Sequence, residues 1–318
     1  MTAPPTTPQT TPPGAPRIAL GPSETAFARS AVQAGGGQVV SLDAEPEALV
    51  WTSPRHVEDL VGVLAATPTL RWVQLPFAGV ERHVAAGLID SSRVWTCAKG
   101  SYAKPVAEHA LALALAGLRR LHERIVATSW GKEAGTTLYG ADVAILGGGG
   151  ITVELLRLLE PFDVHATVVR RNPEPVAGAE LTVGPESKIE AVRSKLVVFV
   201  ALALTEETRG IVDAATMDAI GPKGWLVNVA RGAHVDTAAL LDALRSGTLG
   251  GAALDVTDPE PLPDGHPLWS TPNCIITPHS ADTWEMIMPL LAERIRTNVE
   301  LFGAGLPLVG VVDPDSGY

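Results

Sequence analysis

The chain has 318 residues, 46% of them hydrophobic and 19% charged, which is enough apolar material for two domains and too little charge for a disordered polymer. Lys and Arg (24) set against Asp and Glu (35) leave a net charge of −11, which argues against attraction to nucleic acid or an anionic membrane surface. Two cysteines, Cys97 and Cys274, are too few for a disulfide framework and point to a reduced, cytoplasmic protein.

The opening MTAPPTTPQTTPPGAP has no cation before Arg17 and no apolar stretch, so it reads as a solvated tail over 1–16 rather than a secretory signal. Short apolar runs follow at Arg17–Leu20, Gln38–Ser41, Ala48–Thr52, Trp72–Gln74 and Val94–Thr96, with helical spacing over Val57–Ala66. Such alternation predicts a parallel sheet covered by helices. Pro105–Ile125, rich in Ala and Leu with Arg119, Arg120 and Arg124 near its end, reads as one long helix. On it His109 is expected to pack at a domain or subunit junction, with Glu108 anchoring the helix.

A second series is more sharply punctuated. Strands are expected at Val143–Leu146, Ala166–Val169, Leu196–Val200, Trp225–Val229, Gly251–Leu254 and Asn273–Thr277. Helices are expected between them at Gly150–Leu159, Glu186–Arg193, Asp213–Ile220 and Asp236–Ser246, the last closed by Gly247. Thr283–Phe302 reads as a further long helix in which Pro289 marks a kink or a broken start. The Gly-rich stretch after it is expected to fold back on the first domain. No apolar run approaches the roughly 20 residues needed to span a bilayer.

In VAILGGGGITVELLRLL the glycines stand between an expected strand and an expected helix. Read as G-x-G-x-x-G, Gly147 makes the tight turn and Gly149 lets the backbone approach a pyrophosphate. Gly150 and Ile151 then open the helix whose N-terminus stabilises it. Thr152 takes the third place, where glycine lets the helix pack closely, so the helix is expected to ride slightly outward. The next strand ends in Arg170, Arg171 and Asn172, with no carboxylate for a ribose hydroxyl. Cations there suit a 2′-phosphate and predict NADP(H) in preference to NAD(H). The expectation is an α/β chain of two Rossmann-like domains with doubly wound parallel sheets. A discontinuous substrate domain (17–100 and 285–318) would flank a dinucleotide-binding domain (101–284).

Arg231, Asp255 with Glu260, and His279 each follow an apolar strand, where ligands of open α/β sheets bind. Together they are what carbonyl reduction needs. An Arg fork grips an α-keto acid, a His gives a proton to its carbonyl oxygen, and a carboxylate orients the imidazole. His234, close to Arg231, reads as a surface or capping residue. Phe77, Tyr102 and Trp284 are candidates for a substrate wall or for ordinary packing, whereas Trp51, Trp72 and Trp225 read as core. No His, Cys and Asp cluster has ligand spacing, so no metal is expected.

From about Leu70 onward the chain resembles the D-isomer-specific 2-hydroxyacid dehydrogenases, among them glyoxylate/hydroxypyruvate reductases and 3-phosphoglycerate dehydrogenases. The segments WVQLPFAGVE, AKPVAEHALA, VAILGGGGI, LTEETRGIVD, NVARGAHVD, GAALDVTDPEPLP and HPLWSTPNCIITPHSA fall in that family's order. The resemblance implies that Arg231, Glu260 and His279 are the catalytic residues, and that Asp255, Thr205 and Ala230 lie on the cofactor. It also implies that the amides of Ala78, Gly79 and Val80 hold the substrate carboxylate, in a cleft between the domains. Glu260 favours a keto-acid reductase, because formate dehydrogenases place Gln there. Ala203 stands where the family has Pro, and with Tyr318 as its last residue an appended regulatory domain is not expected. The implied partners are a small 2-keto or 2-hydroxy acid and a second copy, a homodimer formed through the dinucleotide-binding domain. A competing class is a dinucleotide-sensing, corepressor-like scaffold without significant turnover, against which the intact Arg, Glu and His speak.

Overall fold

Residues 14–53 and 57–314 are described by the structure, a computed structural model. The expected tail therefore lies outside the described residues except for Gly14, Ala15 and Pro16. The described chain forms two units, one from the residues up to Lys99 together with those from Met288 onward, the other from Gly100–Ile287.

The first unit holds β1 (Arg17–Gly21), α1 (Ala26–Ala34), β2 (Gln38–Val39), β3 (Ala48–Trp51), α2 (Val57–Ala66), β4 (Trp72–Gln74), α3 (Glu81–Ala85) and β5 (Val94–Thr96). The strands form one parallel sheet in the order β2-β1-β3-β4-β5. All of β3 and β4 is buried, as expected when helices cover both faces. Trp51, Trp72 and Trp95 lie in this core. β2 is shorter than expected because Leu42–Ala44 turns into a 3₁₀ segment with no buried residue, so no core face extends the edge strand. α1 was not anticipated. It buries only Ala28, Ala31 and Val32, side chains too small to form an apolar run that stands out in the sequence. The C-terminal stretch does return to the sheet: Cys97 N donates to Gly310 O (2.8 Å) and Val312 N to Trp95 O (2.9 Å).

His83 on α3 is buried, and neither ring nitrogen has a hydrogen-bond partner. Burial pushes its pKa down, and the Glu81 charge offsets this only in part. The imidazole is therefore held neutral when folded but protonates when unfolded. Stability from this site is present above the ordinary histidine value and is lost as pH falls. Replacing His83 with Leu should narrow the drop in melting temperature between pH 7.5 and pH 5.5, and thermal melts of both proteins check it.

The second unit opens with α4 (Ala103–Leu118) and α5 (Leu121–Ile125). The single helix expected over 105–125 is broken at Arg120, which adopts φ +52° in the left-handed region. Beyond Leu118 the buried stripe ends and Leu121 and Ile125 are exposed, so no packing holds another turn in line. There follow β6 (Asp142–Leu146), α6 (Gly150–Leu159), β7 (His165–Val169), β8 (Leu181–Val183), α7 (Lys188–Val192), β9 (Val197–Val200), α8 (Ala214–Ile220), β10 (Trp225–Asn228), α9 (Thr237–Ser246), β11 (Gly251–Leu254) and β12 (Cys274–Ile276). α10 (Trp284–Gly303) starts here and continues in the first unit. It runs through Pro289 without a break, since the buried stripe Leu291, Ile295 and Val299 offsets the lost backbone bond.

Seven parallel strands take the order β12-β11-β10-β9-β6-β7-β8, one more than the six expected. The missed strand, β8, is a half-exposed edge of three residues with no apolar run to announce it. Asp213 and Asp236 prove to be N-caps rather than helical residues, accepting from Thr216 N, and from Ala238 and Ala239 N. β6 is flanked by β9 and β7, so the connections diverge there and leave a crevice at the carboxyl ends of the strands. Among the described residues, no helix is long and apolar enough to cross a membrane.

Candidate active site

β6 delivers the chain into the glycine run. Gly147 takes φ +112°, and a side chain there would collide with Ala201 O, so only glycine lets the loops after β6 and β9 meet. Gly149 caps α6, and a Cβ on it would meet nothing within 4 Å. The open side at Gly149, where the amides of Gly150 and Ile151 begin the helix, leaves the room a pyrophosphate needs. Thr152 is fully buried and donates its hydroxyl proton to Gly147 O (2.8 Å), filling the third glycine's place and tying helix to loop. At the end of β7 the Arg170 stem lies against the loop: a Cβ on Gly148 would sit 2.7 Å from Arg170 Cδ. Arg171 is exposed, and its charge helps keep the Glu207 carboxyl below its ordinary pKa, after the larger effect of a hydrogen bond from Thr205. The residues present fit a dinucleotide phosphate.

Arg231 follows β10 in a tight turn. Asn228 Nδ2 donates to Arg231 O (2.9 Å), Asn228 Oδ1 accepts from Ala230 N (3.0 Å), and Arg231 Nη1 donates to Ala230 O (2.7 Å). A Cβ on Gly232 would collide with Thr257 O, so the glycine after Arg231 lets this turn press against the loop that follows β11. That loop carries Asp255 and Glu260. His279 follows β12 with φ +50°, an uncommon backbone state for a side-chain-bearing residue and one that active sites often hold. Its amide donates to Asp255 O (2.8 Å) and Thr277 O (3.0 Å), and its Nδ1 donates to Glu260 Oε1 (2.7 Å). Nε2 is left pointing away from the carboxylate, the geometry required of an acid that gives up its proton elsewhere.

Two supporting residues escaped the sequence reading. Asp282 is a largely buried carboxyl whose pKa burial raises; the charges of His279 and Arg231 pull it back, and Asp255 pushes it up. The imidazole and the guanidinium therefore both lie within electrostatic reach of one carboxyl. His109 also supports the site: its Nε2 is 3.0 Å from Thr277 Oγ1 and 3.2 Å from Asp255 Oδ1. Glu108 beside it is exposed.

Asp255 is itself buried. Oδ1 accepts from Thr277 Oγ1 (2.6 Å) and Ser280 N (2.9 Å), and Oδ2 from Ala281 N (3.1 Å). Burial raises its pKa, but the bonds from His109, Thr277, Ser280 and Ala281 outweigh it and hold the carboxyl at about 2. Its folded pKa is depressed, so its stabilisation is complete above the ordinary aspartate value and is lost as pH falls from about 4 to 2. Replacing Asp255 with Asn turns an NH₂ toward the backbone N–H of Ser280 or Ala281, which can only donate. It should cost about 2 kcal/mol at neutral pH, by the size of that shift, and flatten the acid limb of a denaturant-stability series.

The remaining expected residues are placed as follows. Ala230 is buried at the end of β10, and Thr205 is bonded within its own loop to Glu207 and Thr208. In the first unit Ala78 is exposed, Gly79 half-buried and Val80 buried, in the loop between β4 and α3. Tyr102 is buried, Phe77 half-buried and Trp284 exposed.

The sequence model of the family described as "D-isomer specific 2-hydroxyacid dehydrogenase, NAD binding domain" matches residues 109–281. A similar protein is the "Uncharacterized protein in proB 3'region" of Corynebacterium melassecola, 43% identical over 256 residues, which are 78% of this chain and 84% of that one. Another is "Glyoxylate/hydroxypyruvate reductase A" of Serratia proteamaculans, 34% identical over 177 residues, 55% of this chain and 56% of that enzyme. The crystal structure of a D-isomer specific 2-hydroxyacid dehydrogenase from Xanthobacter autotrophicus Py2, in complex with NADPH and MES, aligns with a TM-score of 0.82 at 29% identity. The alignment covers 96% of this chain and 100% of that one.

Proposed function

The chain belongs to the D-isomer specific 2-hydroxyacid dehydrogenase family and is an NAD(P)-dependent oxidoreductase; we propose that it reduces a small 2-keto acid of the glyoxylate or hydroxypyruvate type to the D-2-hydroxy acid. The observation that carries this reading is the Glu260–His279 pair, with Arg231 and His279 within electrostatic reach of one carboxyl, Asp282, at the carboxyl end of the sheet that also bears the phosphate loop.

A bound nicotinamide supplies the hydride that reaches C2 of the keto acid. Arg231 grips the carboxylate and carbonyl oxygen with its planar fork, which also draws electron density from the carbonyl. His279 gives a proton to that oxygen while Glu260 holds the ring in register. Asp255 holds the loop that carries His279, and the amides of Ala78, Gly79 and Val80 serve as donors to a carboxylate. In the reverse direction His279 takes the hydroxyl proton.

NADP(H) is the preferred cofactor in this reading. Arg170 lies along the phosphate loop, Arg171 stands beside it, and the Xanthobacter protein was crystallised with NADPH. Replacing both arginines with Ala should raise KM for NADPH about 10–100-fold, the scale of lost charge-assisted bonds, and leave KM for NADH nearly unchanged. We also place the protein in the cytoplasm as a homodimer through the second unit, where Ile125, Val126, Trp130 and Tyr139 are exposed.

The test is a panel of keto acids with NADPH and NADH. Steady NADPH oxidation with glyoxylate or hydroxypyruvate supports the proposal. NADPH binding without turnover on any acid would favour the cofactor-sensing scaffold instead.

A further inference from the structure

His234 is neither on the surface nor merely a cap: it is completely buried. Its Nε2 lies 3.3 Å from Ala203 O. A carbonyl oxygen can only accept, so this nitrogen carries the proton. Its Nδ1 lies 3.2 Å from Arg231 N and 3.0 Å from Arg231 O. Arg231 O already accepts from Asn228 Nδ2 (2.9 Å) and from the His234 amide (3.2 Å), so Nδ1 is left to accept the Arg231 N–H. The ring is thus a neutral imidazole bonded at one end to the Arg231 backbone and at the other to the loop after β9.

Main-chain bonds run alongside it. Gly210 N donates to Ala233 O (2.9 Å) and Val212 N to His234 O (2.9 Å). Ala203 O also accepts from Thr208 Oγ1 (2.8 Å), and the same loop begins at Ala201, against Gly147 of the phosphate loop. A hydrocarbon would fill this volume without the cost of burying two ring nitrogens. What the imidazole adds is a spacer of fixed length, with a donor at one end and an acceptor at the other.

We propose that His234 is a positioning residue that holds the Arg231 turn in register with the loop flanking the cofactor site. This rests on the reading that Arg231 grips a keto-acid carboxylate. Two variants separate the bonds from the volume. Leu at 234 fills the space and severs both bonds. Asn keeps an acceptor for the Arg231 N–H but is too short to reach Ala203.

The test compares wild type, His234→Leu and His234→Asn by glyoxylate kinetics with NADPH, by hydrogen exchange of the 203–208 and 229–236 segments, and by thermal melts. For His234→Leu, KM for glyoxylate should rise on the order of 10–100-fold, as a slightly misplaced clamp allows, and both segments should exchange faster. His234→Asn should recover most of KM and the protection of 229–236, while 203–208 stays fast. Unchanged KM and exchange in His234→Leu overturn the proposal. So does an equal loss in both variants that tracks an equal fall in melting temperature, which marks a packing role. If wild type reduces no keto acid, the functional reading fails by itself, and the exchange pattern alone decides whether His234 ties the two loops.

Discussion

Replacing His279 with Gln is expected to lower kcat by about 10²–10⁴-fold, the range contributed by a positioned general acid, with a much smaller change in KM. Gln keeps the backbone amide that bonds Asp255 O and Thr277 O, and its length approximates that of the imidazole. What it removes is a group that can release a proton at neutral pH from the side opposite Glu260. The melting temperature and the affinity for NADPH should stay close to wild type, because neither depends on the ring. Retention of kcat in a folded His279→Gln protein would remove the imidazole from the chemistry. Steady-state kinetics over a range of keto-acid concentrations make the distinction.

Replacing Arg231 with Ala should reduce kcat/KM by about 10²–10⁴-fold, the consequence of deleting one partner of a buried, charge-assisted pair with a ligand. The turn itself should survive, since its bonds to Asn228 and His234 use the main chain of residue 231. Replacing Arg231 with Lys tests the geometry rather than the charge. A point charge cannot reproduce the fork that engages two oxygens in one plane, so Lys should restore less than a tenth of the activity on a tenfold scale of about 1.4 kcal/mol. Full rescue by Lys would show that charge alone suffices. Near-normal activity in Arg231→Ala would overturn the assignment of the clamp.

The sheet of the second unit was legible because its inner strands are short apolar runs set between caps and glycines. Asp213, Asp236 and Gly247 mark helix ends both in the sequence and in the structure. Edges were less legible. β8 is only three residues long with Val183 packed on the core, and α1 buries little more than alanines, so neither stands out as an apolar run. The break at Arg120 was hidden for the opposite reason: residues 105–125 are good helix formers throughout, and only burial, which stops at Leu118, ends the helix.

Within the candidate site, Arg231, Asp255, Glu260 and His279 could be named from their places after strands, but their supports could not. His109 reaches Thr277 across 168 positions, a proximity that no local pattern encodes. Asp282 reads in the sequence as one more polar residue before a helix, and its burial between charged groups is a product of the fold. His234 looked like a capping residue because its spacing to Arg231 is that of a turn. The contact with Ala203 that makes it more than a cap arises only when the loops after β9 and β10 pack together.

Arg231 and His279, acting on one keto acid from fixed positions, should deliver a prochiral carbonyl to reduction on one face. Chiral analysis of the glycerate formed from hydroxypyruvate and NADPH tests this most directly. D-glycerate alone is the expected product. Racemic or L-glycerate, or no glycerate from an enzyme shown to bind NADPH, would contradict it.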